Sequence, residues 1–235
     1  MGIITSMETS SRVTTGTREL DALLEGGFPA NRAILLAGES GTGKTIFALR
    51  FVAAGIAQGE AAVYVSLDQK PQHLLDDVRR IAGGLDAAVS AGMLTVLDAS
   101  PYFTASRNKN RTLPIDARNV ATDLSHQVAK VKATRLVIDS LTSLVPPDLT
   151  RGAAQDYLRS LILAFEDNLG CTVLLTSRTM TADPQGIGET AEYLVSGVVL
   201  LRMLPTNGGH RRTLFVKKMR NTHVDPTEMP FDIRA

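Results

Sequence analysis

The chain has 235 residues, and a formal charge of +1 from 25 basic and 24 acidic side chains excludes the global electrostatic pull that draws strongly basic proteins to nucleic acid or membrane. Its 44% hydrophobic and 21% charged residues exclude a dominant disordered part and can supply a substantial core. The lone cysteine, Cys171, excludes an internal disulfide, fits a reducing cytoplasmic setting, and stands at the head of an apolar run, where it reads as core.

Residues 1–11, MGIITSMETSS, lack the basic start and long apolar stretch of a secretory signal and match only the loose Gly2/Ser6 acylation pattern, so they read as a flexible tail. No later stretch is long and apolar enough to span a bilayer, and no membrane partner is expected. Residues 12–235 contain nothing resembling a linker and read as one domain. Its lead-in, Thr15 to Arg32, holds a short amphipathic turn built on Leu20, Leu23 and Leu24, stopped by Gly26-Gly27, a pair that permits positive φ.

The apolar run Ala33 to Ala37, the sequence GESGTGKT from Gly38 to Thr45, and the apolar Ile46 to Phe51 predict a strand, a phosphate loop and a helix. The spacing G-x-x-x-x-G-K-T lets successive backbone N–H groups curl around an anion while the helix points its positive end at the same place. The predicted cradle is Gly38, Ser40, Gly41, Thr42, Gly43, Lys44, Thr45 and Ile46. Lys44 would reach the outer phosphates, and the Thr45 hydroxyl would ligate Mg2+. The expected ligand is ATP.

Beyond a helix from Lys44 to Ala57, Ala61 to Leu67 reads as a buried parallel strand ending at Asp68-Gln69, with Pro71 opening the next helix through Leu74, Leu75, Val78 and Ile81. Met93 to Asp98 is a further strand, and the polar stretch Ser100 to Leu113 reads as a solvated loop. A helix from Asp116 to Lys132 leads into the strand Arg135 to Ser140, which delivers Asp139 where a carboxylate that holds Mg2+ is expected. The helix Ala153 to Asn168 precedes the strand Cys171 to Thr176, with Thr176-Ser177 placed near a terminal phosphate. Two strands, Val198 to Arg202 and Arg212 to Lys217, then flank a hairpin turn at Asn207-Gly208. The four histidines, His73, His126, His210 and His223, show no metal-ligand spacing.

The lead-in T-G-x-x-x-L-D-x-L-L-x-G-G-x-P, the loop G-x-S-G-T-G-K-T and the closing K-x-R-N-T with P-F-x-I resemble the KaiC branch of the RecA-type ATPases. That family usually has glycine where Asn31 stands, two residues after the proline, and its closing motif is K-x-R-G-T. The resemblance implies an α/β, RecA-like P-loop NTPase fold, with a mostly parallel central sheet flanked by helices and a C-terminal antiparallel extension. It implies a catalytic glutamate at the end of the second core strand, where this chain has Asp68 and Gln69, a departure that points to slow hydrolysis. It also implies that Lys218 and Arg220, with Met219 and Thr222, reach the nucleotide of a neighbouring subunit in a homo-oligomer, a hexamer in that family, as an arginine finger does. Some relatives phosphorylate a Ser-Thr pair at the positions of Glu192 and Tyr193, so autokinase activity is not expected here.

Three functions follow: an oligomeric ATPase switch acting on an unidentified regulatory protein partner, a DNA-binding recombination ATPase, and a non-hydrolysing ATP-gated scaffold. Nucleic acid is the least favoured partner. The two loops that would have to hold it, Val145 to Gly152 and Thr179 to Thr190, are mixed or acidic and carry no aromatic platform.

Overall fold

Alternation along the apolar strands builds two separate cores. Ala33, Leu35 and Ala37 face one side of the sheet, Ile34 and Leu36 the other, and the same period of two runs through Val63/Val65 against Ala62/Tyr64 and through Leu136/Ile138 against Val137. Strands buried on both faces are the mark of a parallel sheet with helices on either side. The computed structural model describes residues 11–81, 84–99, 116–179 and 183–233, so that all of the expected tail but Ser11, and the polar stretch 100–113, lie outside the described residues.

In chain order the elements are β1 (Arg12–Val13), α1 (Arg18–Leu23), β2 (Phe28–Pro29), β3 (Ala33–Gly38), α2 (Lys44–Ala57), β4 (Ala61–Ser66), α3 (Pro71–Ile81), α4 (Leu85–Ser90) and β5 (Leu94–Asp98). They continue with α5 (Ala117–Val131), β6 (Ala133–Asp139), a 3-10 turn (Leu141–Leu144), α6 (Arg151–Asn168), β7 (Thr172–Arg178), α7 (Ile187–Leu194), β8 (Gly197–Thr206), β9 (Gly209–Met219) and β10 (Glu228–Pro230). The main sheet has eight strands in the order β10-β9-β8-β3-β7-β6-β4-β5. Pairing is parallel from β8 to β5 and antiparallel at β9 and β10. This is the fold that the sequence predicts, with β9 and β10 as its C-terminal extension.

Local chemistry sets the element ends. The Asp116 carboxylate accepts from the Arg118 N–H at the start of α5, and the Thr150 hydroxyl caps Ala153 at the start of α6. Lys132 closes α5 in the left-handed region. Asn31 and Asn221 have φ of 56° and 55°, so asparagine occupies a left-handed backbone where the family motif has glycine. In the lead-in, the Asp21 carboxylate accepts from the Thr14 hydroxyl and from the Thr15 N–H at 2.7 Å, while Leu20 and Leu24 are buried. The leucines and the aspartate of that motif therefore do separate jobs, core and loop clamp.

Arg135, at the start of β6, is wholly buried. Its Nε meets Glu60 Oε2 at 2.6 Å, Nη1 donates to the Thr14 and Phe51 carbonyls at 2.7 and 2.8 Å, and the guanidinium lies 4.7 Å from the Phe51 ring centroid. One side chain thus ties the lead-in to α2 and β6. Gly55 makes room for it, since a Cβ there would sit 2.2 Å from Arg135 Nε.

Candidate functional site

Four neighbouring strands, β3, β7, β6 and β4, end along one edge of the sheet. Parallel register sets Gly38 beside Arg178 and Ser66 beside Asp139, so the loop after β3, Arg178, Asp139 and Asp68 follow one another along that edge. The carboxyl edge of an open α/β sheet is where such folds bind ligands.

The loop itself is shaped by glycine. Gly41 and Gly43 have φ of 80° and 100°. A Cβ on Gly38 would stand 2.6 Å from the Leu201 carbonyl oxygen, and one on Gly43 would stand 2.8 Å from Ile233 Cδ1. Thr42 is fully buried and its hydroxyl donates to the Glu39 carbonyl at 2.8 Å, which folds the loop on itself. Lys44 Nζ donates to the Gly38 and Glu39 carbonyls, both at 2.8 Å. Burial lowers the Lys44 pKa from its ordinary value; Asp139 opposes the shift and Arg178 adds to it.

Asp139 accepts from Thr45 Oγ1 at 2.9 Å, Tyr64 OH at 2.7 Å and Thr176 Oγ1 at 2.5 Å. Burial and the neighbouring Asp139 charge push the Tyr64 phenol well above its ordinary range, so it stays a donor. Asp68 accepts from Ser140 Oγ at 2.7 Å and Ser143 Oγ at 2.5 Å. Both carboxylates are thus held by hydroxyls rather than by cations.

Two clefts meet over the loop. One of about 400 Å³ is lined by Ser40, Lys44, Thr45, Ser66, Asp68, Gln69, Asp139, Ser140 and Arg178. The other, of about 480 Å³, shares Ser40, Lys44, Thr45 and Gln69 with it and adds Gly41, Gly43, Ile46, Leu49, Arg212 and Ile233. Arg212 Nε donates to the Gly41 carbonyl at 3.1 Å, and Arg50, over the Phe231 ring, donates to the Asp232 carbonyl at 2.7 Å, so the closing segment is fastened beside the loop.

The residues fit a magnesium nucleotide. Glycine-shaped backbone offers an anion cradle, a lysine stands beside it, and a hydroxyl and a carboxylate 2.9 Å apart form the donor set that magnesium takes. Of the predicted residues, Gly38 to Ile46, Asp68, Gln69 and Asp139 come together on this edge. Lys218 and Arg220 do not. They lie across the sheet, where Val198 at the start of β8 pairs with Lys218, and their side chains converge on the Tyr193 carbonyl at 3.2 and 3.4 Å, with Lys218 also on that of Glu192 at 2.9 Å. Within one protomer they serve no loop of their own. Met219 between them is buried against Gly197, so its side chain is core and any ligand contact it makes runs through its backbone. Thr222 accepts from Arg12 Nη1 at 2.7 Å.

Sequence reasoning passes over Tyr64, Ser140, Ser143, Arg178 and Arg212. Arg178 had the clearest signal, since it directly follows the Thr176-Ser177 pair at a strand end.

A family model described as the ATPase KaiC matches residues 13–235. A UPF0273 protein of Thermotoga maritima is 32% identical over 231 residues, covering 94% of this chain and 92% of that one. The circadian clock oscillator protein KaiC of Synechococcus elongatus is 29% identical over 224 residues, which is 95% of this chain but 43% of that longer protein. Among solved structures, a KaiC-like protein of Pyrococcus horikoshii OT3 superposes with a TM-score of 0.79 at 27% identity, covering 95% of both chains.

Proposed function

This chain belongs to the KaiC ATPase family, and on that premise we propose that it binds Mg-ATP on the carboxyl edge of its sheet, hydrolyses it slowly, and acts as a homo-oligomeric switch for a regulatory protein partner. The observation that carries the reading is the convergence of the phosphate loop, Asp139 and Asp68 along one edge of the sheet. Thr45 and Asp139 would hold magnesium, which supplies charge neutralisation at the phosphates when bound.

The chain's own residues account for the rest. Loop N–H groups and Lys44 bind and orient the phosphates. Asp68 would orient an attacking water and take its proton. Its two oxygens already accept from Ser140 and Ser143, and Gln69 beside it carries no charge, which supports slow turnover. The positions of Lys218 and Arg220, remote from the loop of their own protomer, support a role for them at the nucleotide of a neighbouring copy.

A recombinase reading finds less support. Gln185 Nε2 donates to the carbonyls of Pro146, Pro147 and Leu149, so the segment that would meet DNA is stitched to its neighbour. Phosphate release by the wild type beside Lys44→Ala tests the proposal. A wild-type rate above that of the variant is expected; equal background rates with intact ATP binding would leave only an ATP-gated scaffold.

A further inference from the structure

The two clefts over the loop differ in chemistry, and that difference orients a ligand lying across both. One side presents the apolar side chains of Ile46, Leu49 and Ile233, the other Asp68, Asp139 and Arg178. A nucleotide would place its nucleoside over the apolar side and its outermost phosphate among the charged groups.

In that charged cleft every anion is already engaged. Asp139 is satisfied by the hydroxyls of Thr45, Tyr64 and Thr176, and Asp68 by those of Ser140 and Ser143. The Arg178 side chain has no hydrogen-bond or ion-pair partner among the described residues. The backbone there is nonetheless fixed. Arg178 pairs in register with Gly38, the first glycine of the loop, and the N–H of the next residue, Thr179, donates to the Gly38 carbonyl at 3.1 Å. Lys44 Nζ donates to that same carbonyl at 2.8 Å. The backbone is held at this point, and the exposed guanidinium, which lines the cleft with its five donors uncommitted, offers the planar fork that phosphate oxygens accept.

Building on the nucleotide reading above, we infer that Arg178 contacts the terminal phosphate from within the same protomer and is the residue by which the site distinguishes a triphosphate from a diphosphate. This separates two cationic contributions. Lys218 and Arg220 would act only across a subunit boundary, whereas Arg178 acts in a lone protomer.

The test is calorimetric binding of Mg-β,γ-imido-ATP and Mg-ADP to the full chain, as wild type, Arg178→Gln, Arg178→Lys and Lys44→Ala, at protein concentrations where light scattering shows single protomers. Losing charge-assisted hydrogen bonds predicts about a ten- to hundredfold loss of triphosphate affinity in Arg178→Gln, with ADP affinity within about threefold of wild type and Arg178→Lys in between. An unchanged triphosphate-to-diphosphate ratio in Arg178→Gln would overturn the inference, as would an equal loss for both ligands. Wild type binding neither nucleotide would instead defeat the nucleotide reading itself. Melting temperatures of the unliganded variants guard against misfolding, since an exposed strand-end side chain without partners should leave them unchanged.

Discussion

Thr45 Oγ1 donates to Asp139 Oδ2 at 2.9 Å, which joins the first turn of α2 to the end of β6 across 94 positions of sequence. Tyr64 and Thr176 brace the carboxylate from two further strands. Thr45→Ala should therefore lose the dependence of ATP affinity on Mg2+ while retaining weak metal-free binding, and Thr45→Ser should restore it. Titrations with and without EDTA check this; an unaltered magnesium effect in Thr45→Ala would remove the pair from the metal site.

Asp68 is held by two serine hydroxyls, so its position as well as its charge is open to test. Asp68→Ala should lower phosphate release by about a hundredfold or more while ADP binding holds, as expected for loss of a general base. Ser143→Ala frees one oxygen and lets the carboxylate move by a fraction of an ångström. A change in kcat with KM preserved is the expected signature, because small misplacements of a reacting group act on the chemical step.

The nucleotide loop, both acidic strand ends and the hairpin were legible because each is announced by local pattern. The apolar run, glycine spacing and Lys-Thr of residues 33–45 need no tertiary information, and Asn207-Gly208 joins β8 to β9. The helix Leu85–Ser90, the small β1–β2 pair and β10 were missed, being six residues or fewer and too short to show a period, and the eight-residue helix Ile187–Leu194 begins inside the stretch Thr179 to Thr190 that reads as a loop. The hydroxyls around Asp139 were hidden for another reason: Tyr64 sits in a strand that reads simply as buried, Thr176 reads as a neighbour of the terminal phosphate, and only the sheet order brings both to one carboxylate. Arg135 was read as the start of a strand, and nothing in its neighbours announced that Gly55, in a helix, had vacated space for it.

That space gives a stability prediction. Gly55→Ala would press a methyl group into the Arg135 guanidinium, costing about 1–3 kcal/mol by overpacking. Arg135→Ala strips Glu60 of its ion-pair partner and the Thr14 and Phe51 carbonyls of a buried donor, a loss of about 3–5 kcal/mol. In the Arg135→Ala background the Gly55→Ala cost should shrink, since the clash has gone. Urea unfolding of the single and double variants measures this coupling, and strict additivity would contradict the contact.

Burial pushes the Cys171 thiol up from 9.0 to about 12. The folded state therefore holds this proton more tightly than the unfolded chain. Its contribution to stability is complete below pH 9.0 and is lost as the pH climbs through the folded value near 12, because only the unfolded chain gives up the proton in that window. Wild type should lose more stability than Cys171→Ala over this range. At pH 8 a thiol reagent such as Ellman's should titrate no cysteine in the native protein and one after denaturation; fast native labelling would place the thiol outside the core.

Lys218 and Arg220 hang on the Tyr193 carbonyl, away from the phosphate loop of their own chain, and Tyr193 beside them is 75% exposed. If they complete a neighbour's site, the two halves of one active centre belong to different protomers, and defects in them can complement. Lys44→Ala cannot bind its own nucleotide productively but can still lend Lys218 and Arg220; Arg220→Ala keeps its loop but lends nothing. Each alone should be nearly inactive. Mixed at equal concentration under assembling conditions, with Mg-ATP present, they should recover a measurable share of wild-type phosphate release, because some interfaces then pair an intact loop with an intact Arg220. Recovery should rise with total protein concentration, following assembly by light scattering. A mixture no more active than its parts, in a sample shown to have exchanged subunits, would leave Lys218 and Arg220 as no more than a basic strand face pinned to the end of α7.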